Sequence, residues 1–546
     1  MKTSLVRSAG VVSAAVFLSR ITGLVRERIM AHLFGASEIY DAYVLGFRIP
    51  NLTRDLFAEG ALSSAFVPVF TKYLATKGKA EARELSNLVG TALIAIVGSF
   101  CVLGMIFAPE FVELLAAPFH AVPGKFELAV QLTRIMFPFL LLVALAAQAM
   151  GVLNACNQFG IPALSSTFFN VGSVTAGLVL GYWVGPRFGI TPIMGMAYGV
   201  VFGGAVQLLF QVPNLIRAGF AFRPRIDFSH PGLRNVLHLM GPAVLGNASV
   251  QINVMVNTKF AAGITDAAGH VINGPVSWLS YAFRFMMLPL GLFGVAIASA
   301  TLPAISRSAA SNDMAEFRQT LSRSLSLVLL LTVPSSVILA ILGKSMIAVV
   351  YQGGHFTASD THQTALALSC YALGLSGYSA LKVLAPAFYA LNDARTPMIV
   401  SMISVAINYA TATTMVRVAG LGHAGLALST STVALFGFAA LLAIMRRRIG
   451  GIEGGALLSS FLKIAAASAV MAAVCAGTSY LIRRGLGESI KAQMIDLLVS
   501  IPAGAAVFYA AASALRVEEI EMARKTVAAP LLRRLGITPK RHVKLD

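Results

Sequence analysis

Residues 128–153 read LAVQLTRIMFPFLLLVALAAQAMGVL, and Arg134 is the only formally charged side chain in that stretch. A helix needs about 20 mostly apolar residues to cross a bilayer, and this segment exceeds that length. The same pattern recurs on both sides of it. Segments at about 9–33, 40–73, 86–108, 162–184, 191–217, 233–262, 270–303, 320–346, 362–390, 397–419, 423–445, 457–482 and 492–515 bring the count to fourteen. The composition agrees. Of 546 residues, 57% are hydrophobic and 12% charged, against roughly 45–50% apolar and about 25% charged in soluble domains. Disorder, collagen and coiled coil are excluded. The sequence predicts an all-α polytopic membrane protein with about 14 transmembrane helices.

The net charge is +19. In a chain this apolar it predicts cytoplasmic loops facing anionic lipid, not a nucleic-acid partner. With the first residues placed in the cytoplasm and the helices alternating, most basic residues fall inside. These include Lys72, Lys77, Lys79 and Arg83; Arg217, Arg223, Arg225 and Arg234; Arg446, Arg447 and Arg448; and the tail from Arg516 to Lys544. The outside loops hold fewer, among them Lys125, Arg187, Arg483 and Arg484. Both termini are therefore expected in the cytoplasm. The start, Met1 to Leu18, reads as a retained first helix because no small-residue cleavage site follows it. Cys101, Cys156, Cys370 and Cys475 all lie in apolar stretches without pairing or metal spacing. The longest loops (109–127, 218–232, 304–319) are too short for a folded extramembrane domain, and Walker, GxSxG and HExxH motifs are absent. No enzyme, metal or cofactor is expected.

The first two segments depart from the apolar rule. Between residues 20 and 59 lie Arg20, Arg26, Glu27, Arg28, Asp41, Arg48, Arg54, Asp55 and Glu59. Each charge in a spanning helix costs roughly 2.5–3.5 kcal/mol on insertion scales, so these helices must face protein or water. Asp41, Arg48 and Asp55 recur every seven residues and share a face in alternating sign, which predicts structural pairing. Pro50 should kink the second segment and Gly23 bend the first. Arg284, within Trp278-Leu-Ser-Tyr-Ala-Phe-Arg-Phe-Met-Met, has no acidic neighbour within a turn, and Lys382 is similarly isolated. Guanidinium forks suit phosphate. Several unpaired cations in two halves of the chain thus predict a shared cavity for an anionic ligand, a phosphate or diphosphate. After Glu59 the helix cores are read as holding almost no Asp or Glu, which argues against cation export. Gly195, Gly199 and Gly203 predict close helix packing, and His355 reads as a surface loop residue.

These residues carry a resemblance. Ser19-Arg-Ile-Thr-Gly-Leu-Val-Arg26-Glu27 with Phe34-Gly35, Asp41-Ala-Tyr-Val, Pro50-Asn51-Leu-Thr-Arg54, Phe57-Ala-Glu59-Gly60 and Ala65-Phe66-Val67-Pro68 form its first part. Ser277 through Arg284 to Gly294, Leu302-Pro303, Lys382-Val-Leu-Ala-Pro386 with Tyr389, and Thr396-Pro397 form the rest. The whole resembles the MurJ (MviN-type) lipid II flippases of the MOP exporter superfamily. The resemblance implies two six-helix lobes in a V-shaped arrangement, at 1–217 and 218–448. It adds two C-terminal helices at 449–515 lining a groove for a lipid tail, and a basic cytoplasmic tail at 516–546. It implies a bacterial inner-membrane flippase for lipid II, with substrate contacts at Arg20, Arg26, Arg54 and Arg284, Ser19, Asp41 and Glu59 nearby, and Lys382 in a matching block. The implied partners are lipid II, through its diphosphate and polyprenyl tail, and cell-wall synthesis proteins. Alternatives at this stage are a flippase for another lipid-linked glycan such as O-antigen, a cation-coupled exporter, and a non-transporting scaffold. Some members carry acidic residues around the third arginine block, where this chain has Phe283 and Met287. Residues 233–262 offer Asn247, Asn253 and Asn257 but no Asp or Glu, so a sodium site in that helix is not expected.

Overall fold

The computed structural model describes residues 2–54, 62–227, 229–452 and 454–523, with side chains described except at 2–14, 53, 63–64, 241–247 and 521–523. Helices account for nearly all of it. The first half of the chain forms α1 (Lys2–Phe34), α2 (Glu38–Arg54), α3 (Ser63–Thr76), α4 (Gly78–Ile106), α5 (Ala108–Ala116), α6 (Lys125–Met136), α7 (Phe139–Ala155), α8 (Gly160–Leu178), α9 (Pro192–Leu209), α10 (Val212–Arg217) and α11 (Pro231–Ala262). The second half forms α12 (Pro275–Pro289), α13 (Ala296–Ala310), α14 (Met314–Tyr351), α15 (Ala358–Ala372), α16 (Leu375–Ala390), α17 (Arg395–Thr413), α18 (Gly422–Arg448), α19 (Gly454–Leu486), α20 (Ile490–Ala514) and α21 (Glu518–Ala523).

Ten helical spans among the described residues are long and apolar enough to cross a membrane, or eleven if the bent pair α15–α16 counts as one. The expected fourteen is therefore not established. The segment expected at 40–73 is described in two parts, Glu38–Arg54 in α2 and Ser63–Thr76 in α3, and residues 55–61 between them lie outside the described residues. The segments at 9–33 and 233–262 fall in α1 and α11, parts of whose side chains lie outside the described set. Local chemistry sets the interruptions. Pro138 follows the end of α6 and has no N–H to continue the ladder. At the α15–α16 break the axes turn by 44°. Gly374 stands there, and a Cβ on it would lie 2.6 Å from the Cα of Ser431. Among the described residues wide π turns stand at Val179–Val184, Leu290–Val295 and Thr414–Val418. α1 runs unbroken through Gly23, and α2 continues past Pro50.

The chain divides into two compact units. The first comprises 1–280, 351–360 and 412–426; the second comprises 281–350, 361–411 and 427–546. In the first unit α8 and α9 lie unusually close because three glycines face the contact. A Cβ on Gly195 would fall 2.3 Å from the Cα of Gly181, and one on Gly199 would fall 2.4 Å from the Ser173 carbonyl oxygen. One on Gly203 would come within 2.7 Å of the Phe169 carbonyl oxygen. All three obstacles are backbone, which cannot rotate away. Gly199→Val should therefore force the helices apart and cost more than the roughly 1–3 kcal/mol of ordinary overpacking. A monodisperse size-exclusion peak at wild-type yield for that variant would contradict this packing.

The second unit is built on an apolar cluster including Phe317, Leu321, Leu325, Leu384, Phe388, Met445 and Ile464. It also contains a buried carboxylate, an exception to the near-absence of acids in the expected helix segments beyond Glu59. Asp496, in α20, is fully buried. Its oxygens accept hydrogen bonds from Ser345 at 2.6 Å, Ser479 at 2.8 Å and Ser500 at 2.8 Å. Arg483 lies 3.5 Å away and also donates to the Ser345 hydroxyl at 2.9 Å. A carboxylate with this many donors can remain in an apolar bundle.

Candidate functional site

The charged stretch of α1 is held against α8. Arg26 is mostly buried, with a side-chain exposure of 12%. Its Nη2 donates to Glu27 Oε1 at 2.9 Å, and its Cζ lies 5.4 Å from the centre of the Phe169 ring. Glu27 is itself buried and accepts from the Tyr40 hydroxyl at 3.3 Å. One turn and more upstream, the Asn170 amide donates to the Ser19 carbonyl and the Thr22 hydroxyl, both at 3.3 Å. Neighbouring residues of α8, Phe169 and Asn170, thus fix the α1 segment carrying Ser19, Arg20 and Arg26. Arg20 is exposed and Ser19 half-buried. Arg54 stands half-buried at the last residue of α2. Glu59 and Asp55 lie outside the described residues.

Asp41 has a different setting from these arginines. It is almost completely buried, and its partner is Lys125 of α6, at 3.1 Å, with both side chains 1% exposed. The same carboxylate accepts the Gly274 N–H at 2.8 Å, the Ser277 N–H at 3.0 Å and the Ser277 hydroxyl at 2.5 Å. These are orphan donors at the start of α12, so a side chain from α2 performs the capping normally done from within a helix. Lys125 donates to the Asn273 side-chain oxygen at 2.8 Å and lies 4.1 Å from the centre of the Phe119 ring. Asn273 in turn donates to Glu38 at 3.0 Å. The alternating stripe of α2 therefore finds its partners on other helices. Arg48 donates to the Thr258 hydroxyl of α11 at 2.7 Å.

Two further segments complete this end of the first unit. Trp278 donates its indole N–H to Asp360 at 2.9 Å and lies 5.0 Å from the His423 ring. Asp360 also accepts the Thr357 N–H and hydroxyl at 2.9 and 2.8 Å. The loop ahead of it docks on the end of α1. The His355 N–H donates to the His32 carbonyl at 3.0 Å, and Arg28 donates to the Gln352 carbonyl at 3.4 Å. The His355 side chain is exposed, as a loop residue should be. Gly354, at φ +59°, would set a Cβ 2.2 Å from the His32 carbonyl oxygen, so a larger residue is barred there.

In the second unit Arg284 lies exposed on α12, and Lys382 lies exposed on α16. The elements carrying them pack through the π turn: a Cβ on Gly294 would stand 3.1 Å from the Ser379 side chain. Phe283 meets Tyr371 edge-on at 5.5 Å, so the position beside Arg284 is spent on aromatic packing. Sequence reasoning did not single out Lys125, Asn170, Ser277 or Asp360. Asn170 lies in a run that carries no charge to draw notice, and Ser277 was quoted only as the first residue of the block that leads to Arg284. No group of three or more metal-ligating side chains occurs among the described residues.

Guanidinium groups stand on helices of each unit, Arg20 and Arg26 on α1, Arg54 on α2 and Arg284 on α12. The fold is shared with a solved transporter of the MOP superfamily. A multidrug MATE transporter in its inward-facing conformation superposes with a TM-score of 0.67 over 81% of this chain and 98% of its own, at 14% identity. Residues 30–493 match the family model described as lipid II flippase MurJ, and the chain belongs to that family. The lipid II flippase MurJ of Burkholderia cenocepacia is 34% identical over 452 residues, covering 82% of this chain and 84% of the relative. A probable lipid II flippase MurJ of Vibrio cholerae is 35% identical over 446 residues, covering 80% and 82%. A solved lipid II flippase MurJ in an inward closed conformation aligns with a TM-score of 0.74 at 26% identity, over 96% of this chain and 99% of its own.

Proposed function

We propose that this chain is a flippase that carries lipid II, the undecaprenyl-diphosphate-linked peptidoglycan precursor, from the cytoplasmic to the outer leaflet of a bacterial inner membrane. The observation that carries the reading is the family match across residues 30–493. The chain acts as a transporter and not as an enzyme. Arg20, Arg26, Arg54 and Arg284 engage the diphosphate during the cycle, with Ser19 and Lys382 assisting. The fixed partners of Asp41 suit it to holding helices in place. Glu59 is kept as a contact on sequence grounds alone.

The fourteen-helix organisation, with lobes at 1–217 and 218–448, a tail groove at 449–515 and a basic tail at 516–546, belongs to the same proposal. So do cytoplasmic termini, on the positive-inside distribution of Lys and Arg. Transport proceeds by alternating access, with the polyprenyl chain left in lipid while the headgroup crosses. Moving charge across an inside-negative membrane changes the free energy by about 2.3 kcal/mol per charge per 100 mV, and bound arginines reduce the net charge moved.

The test is the sidedness of lipid II in spheroplasts depleted of the protein. An impermeant enzyme that cleaves only outward-facing lipid II should lose its substrate on depletion and regain it with the wild-type chain. Unchanged cleavage would remove lipid II as the substrate.

A further inference from the structure

The end of α18 carries three consecutive arginines, Arg446, Arg447 and Arg448, all exposed. Cations there are favoured by the carbonyl end of the helix dipole. The chain then reverses through Gly450 and Gly451, both at positive φ (72° and 121°), and the Gly451 N–H closes the turn on the Arg446 carbonyl at 2.8 Å. Ile449 and Ile452 flank the glycines and are buried in the same cluster as Phe317, Met445 and Leu457. The turn is thus pinned from below.

Above it opens a cavity of about 550 Å³ lined by Ala443, Arg446, Arg447, Gly450 and Gly451. A third guanidinium borders the turn. Nη2 of Arg318, on α14, lies 3.7 Å from where a Cβ on Gly450 would stand. The Nε of Arg318 is buried and makes no hydrogen bond. Arg448 is already used, because it pairs with Asp393. Hydrogen bonds from Thr396, with Arg448 beside it, hold the Asp393 carboxyl below the usual range, so that pair is ionic. Among the described residues Arg318, Arg446 and Arg447 have no carboxylate partner. Exposed apolar side chains follow directly on α19: Leu458, Phe461 and Leu462.

We propose that this hollow binds the phosphodiester headgroup of an anionic phospholipid, with its acyl chains on the apolar start of α19. The site lies wholly within the second unit and is separate from the residues assigned to the transported substrate. Two guanidiniums line the cavity and a third borders its turn, a setting that suits an anion, and the flanking apolar surface distinguishes a lipid from free phosphate. Glycine at 450 and 451 keeps the cavity open where a side chain would fill it.

The experiment measures the thermal unfolding of the full chain in neutral detergent with added phosphatidylglycerol, phosphatidylcholine or inorganic phosphate. Phosphatidylglycerol should stabilise the wild type more than phosphatidylcholine at equal mole fraction. Arg318→Gln, Arg446→Gln and Arg447→Gln should each weaken half-saturation by about fivefold, the usual contribution of one basic residue at an anionic surface. A control triple, Arg187→Gln with Arg484→Gln and Lys491→Gln, removes three positive charges elsewhere, more than any of these single variants, and should retain the preference. Loss of the preference in the control, or its absence in the wild type, overturns the proposal. An equal response to inorganic phosphate overturns the lipid assignment.

Discussion

Cells whose sole copy carries Arg284→Ala should fail to expose lipid II on the outer face, while the variant protein accumulates in the membrane at normal levels. The Arg284 side chain is exposed on α12, so its removal opens no cavity in the core. What it would remove is a planar fork able to bond two phosphate oxygens at once. Loss of one partner from a desolvated charge pair costs roughly 2–5 kcal/mol, which corresponds to a fall of about 30-fold to several thousand-fold. Arg284→Lys should fall between, since an ammonium keeps the charge but not the fork. The readouts are the fraction of lipid II cleaved from outside and the elution profile of the purified variant. Normal cleavage with Arg284→Ala as sole copy would remove this residue from the substrate path.

Asp41→Ala should have its largest effect on folding. The substitution strands the buried Lys125 ammonium and leaves the Gly274 and Ser277 N–H groups without their acceptor. Breaking one side of a buried ion pair costs about 3–5 kcal/mol, a fall in melting temperature on the order of 10 °C. The pair Asp41→Asn with Lys125→Met should recover much of that loss, because removing both charges leaves neither one uncompensated. Thermal unfolding in detergent reads both variants. A double variant no more stable than Asp41→Ala would mean that the backbone capping, and not the ion pair, holds this end of the unit together.

The helical architecture was legible because lipid imposes a length and an apolarity that composition alone can register. The run at 128–153 shows this: it appears as α6 and α7, one span interrupted at Pro138. The π turn at Leu290–Val295 carries no residue pattern that separates it from a helix. At the candidate site the cations on α1 were found because charge inside an apolar run is conspicuous. Their partners were not, because pairing is a property of three-dimensional neighbourhood. Lys125 stands 84 residues from Asp41, and Ser277 stands 236 away. The regular spacing of Asp41, Arg48 and Asp55 suggested structural pairing without naming the partners: Asp41 meets Lys125 and Arg48 meets Thr258, while Asp55 lies outside the described residues. Asp496 escaped notice for a related reason. It stands alone in α20, and nothing in its own helix announces the hydroxyls of Ser345 and Ser479 that receive it.

That carboxylate bears on how the chain is made. Asp496 meets Ser479 and Arg483 of α19 and Ser500 of its own helix, so most of its donors lie within one helical hairpin. A lone aspartate entering the bilayer during synthesis meets a cost of roughly 2.5–3.5 kcal/mol. A hairpin that carries its own counter-charge enters close to neutral. Only the Ser345 hydroxyl comes from elsewhere, from α14, which the ribosome has already delivered. The last two long helices can therefore partition from the translocon as a preassembled pair and dock late, with Ser345 as the latch that registers their arrival.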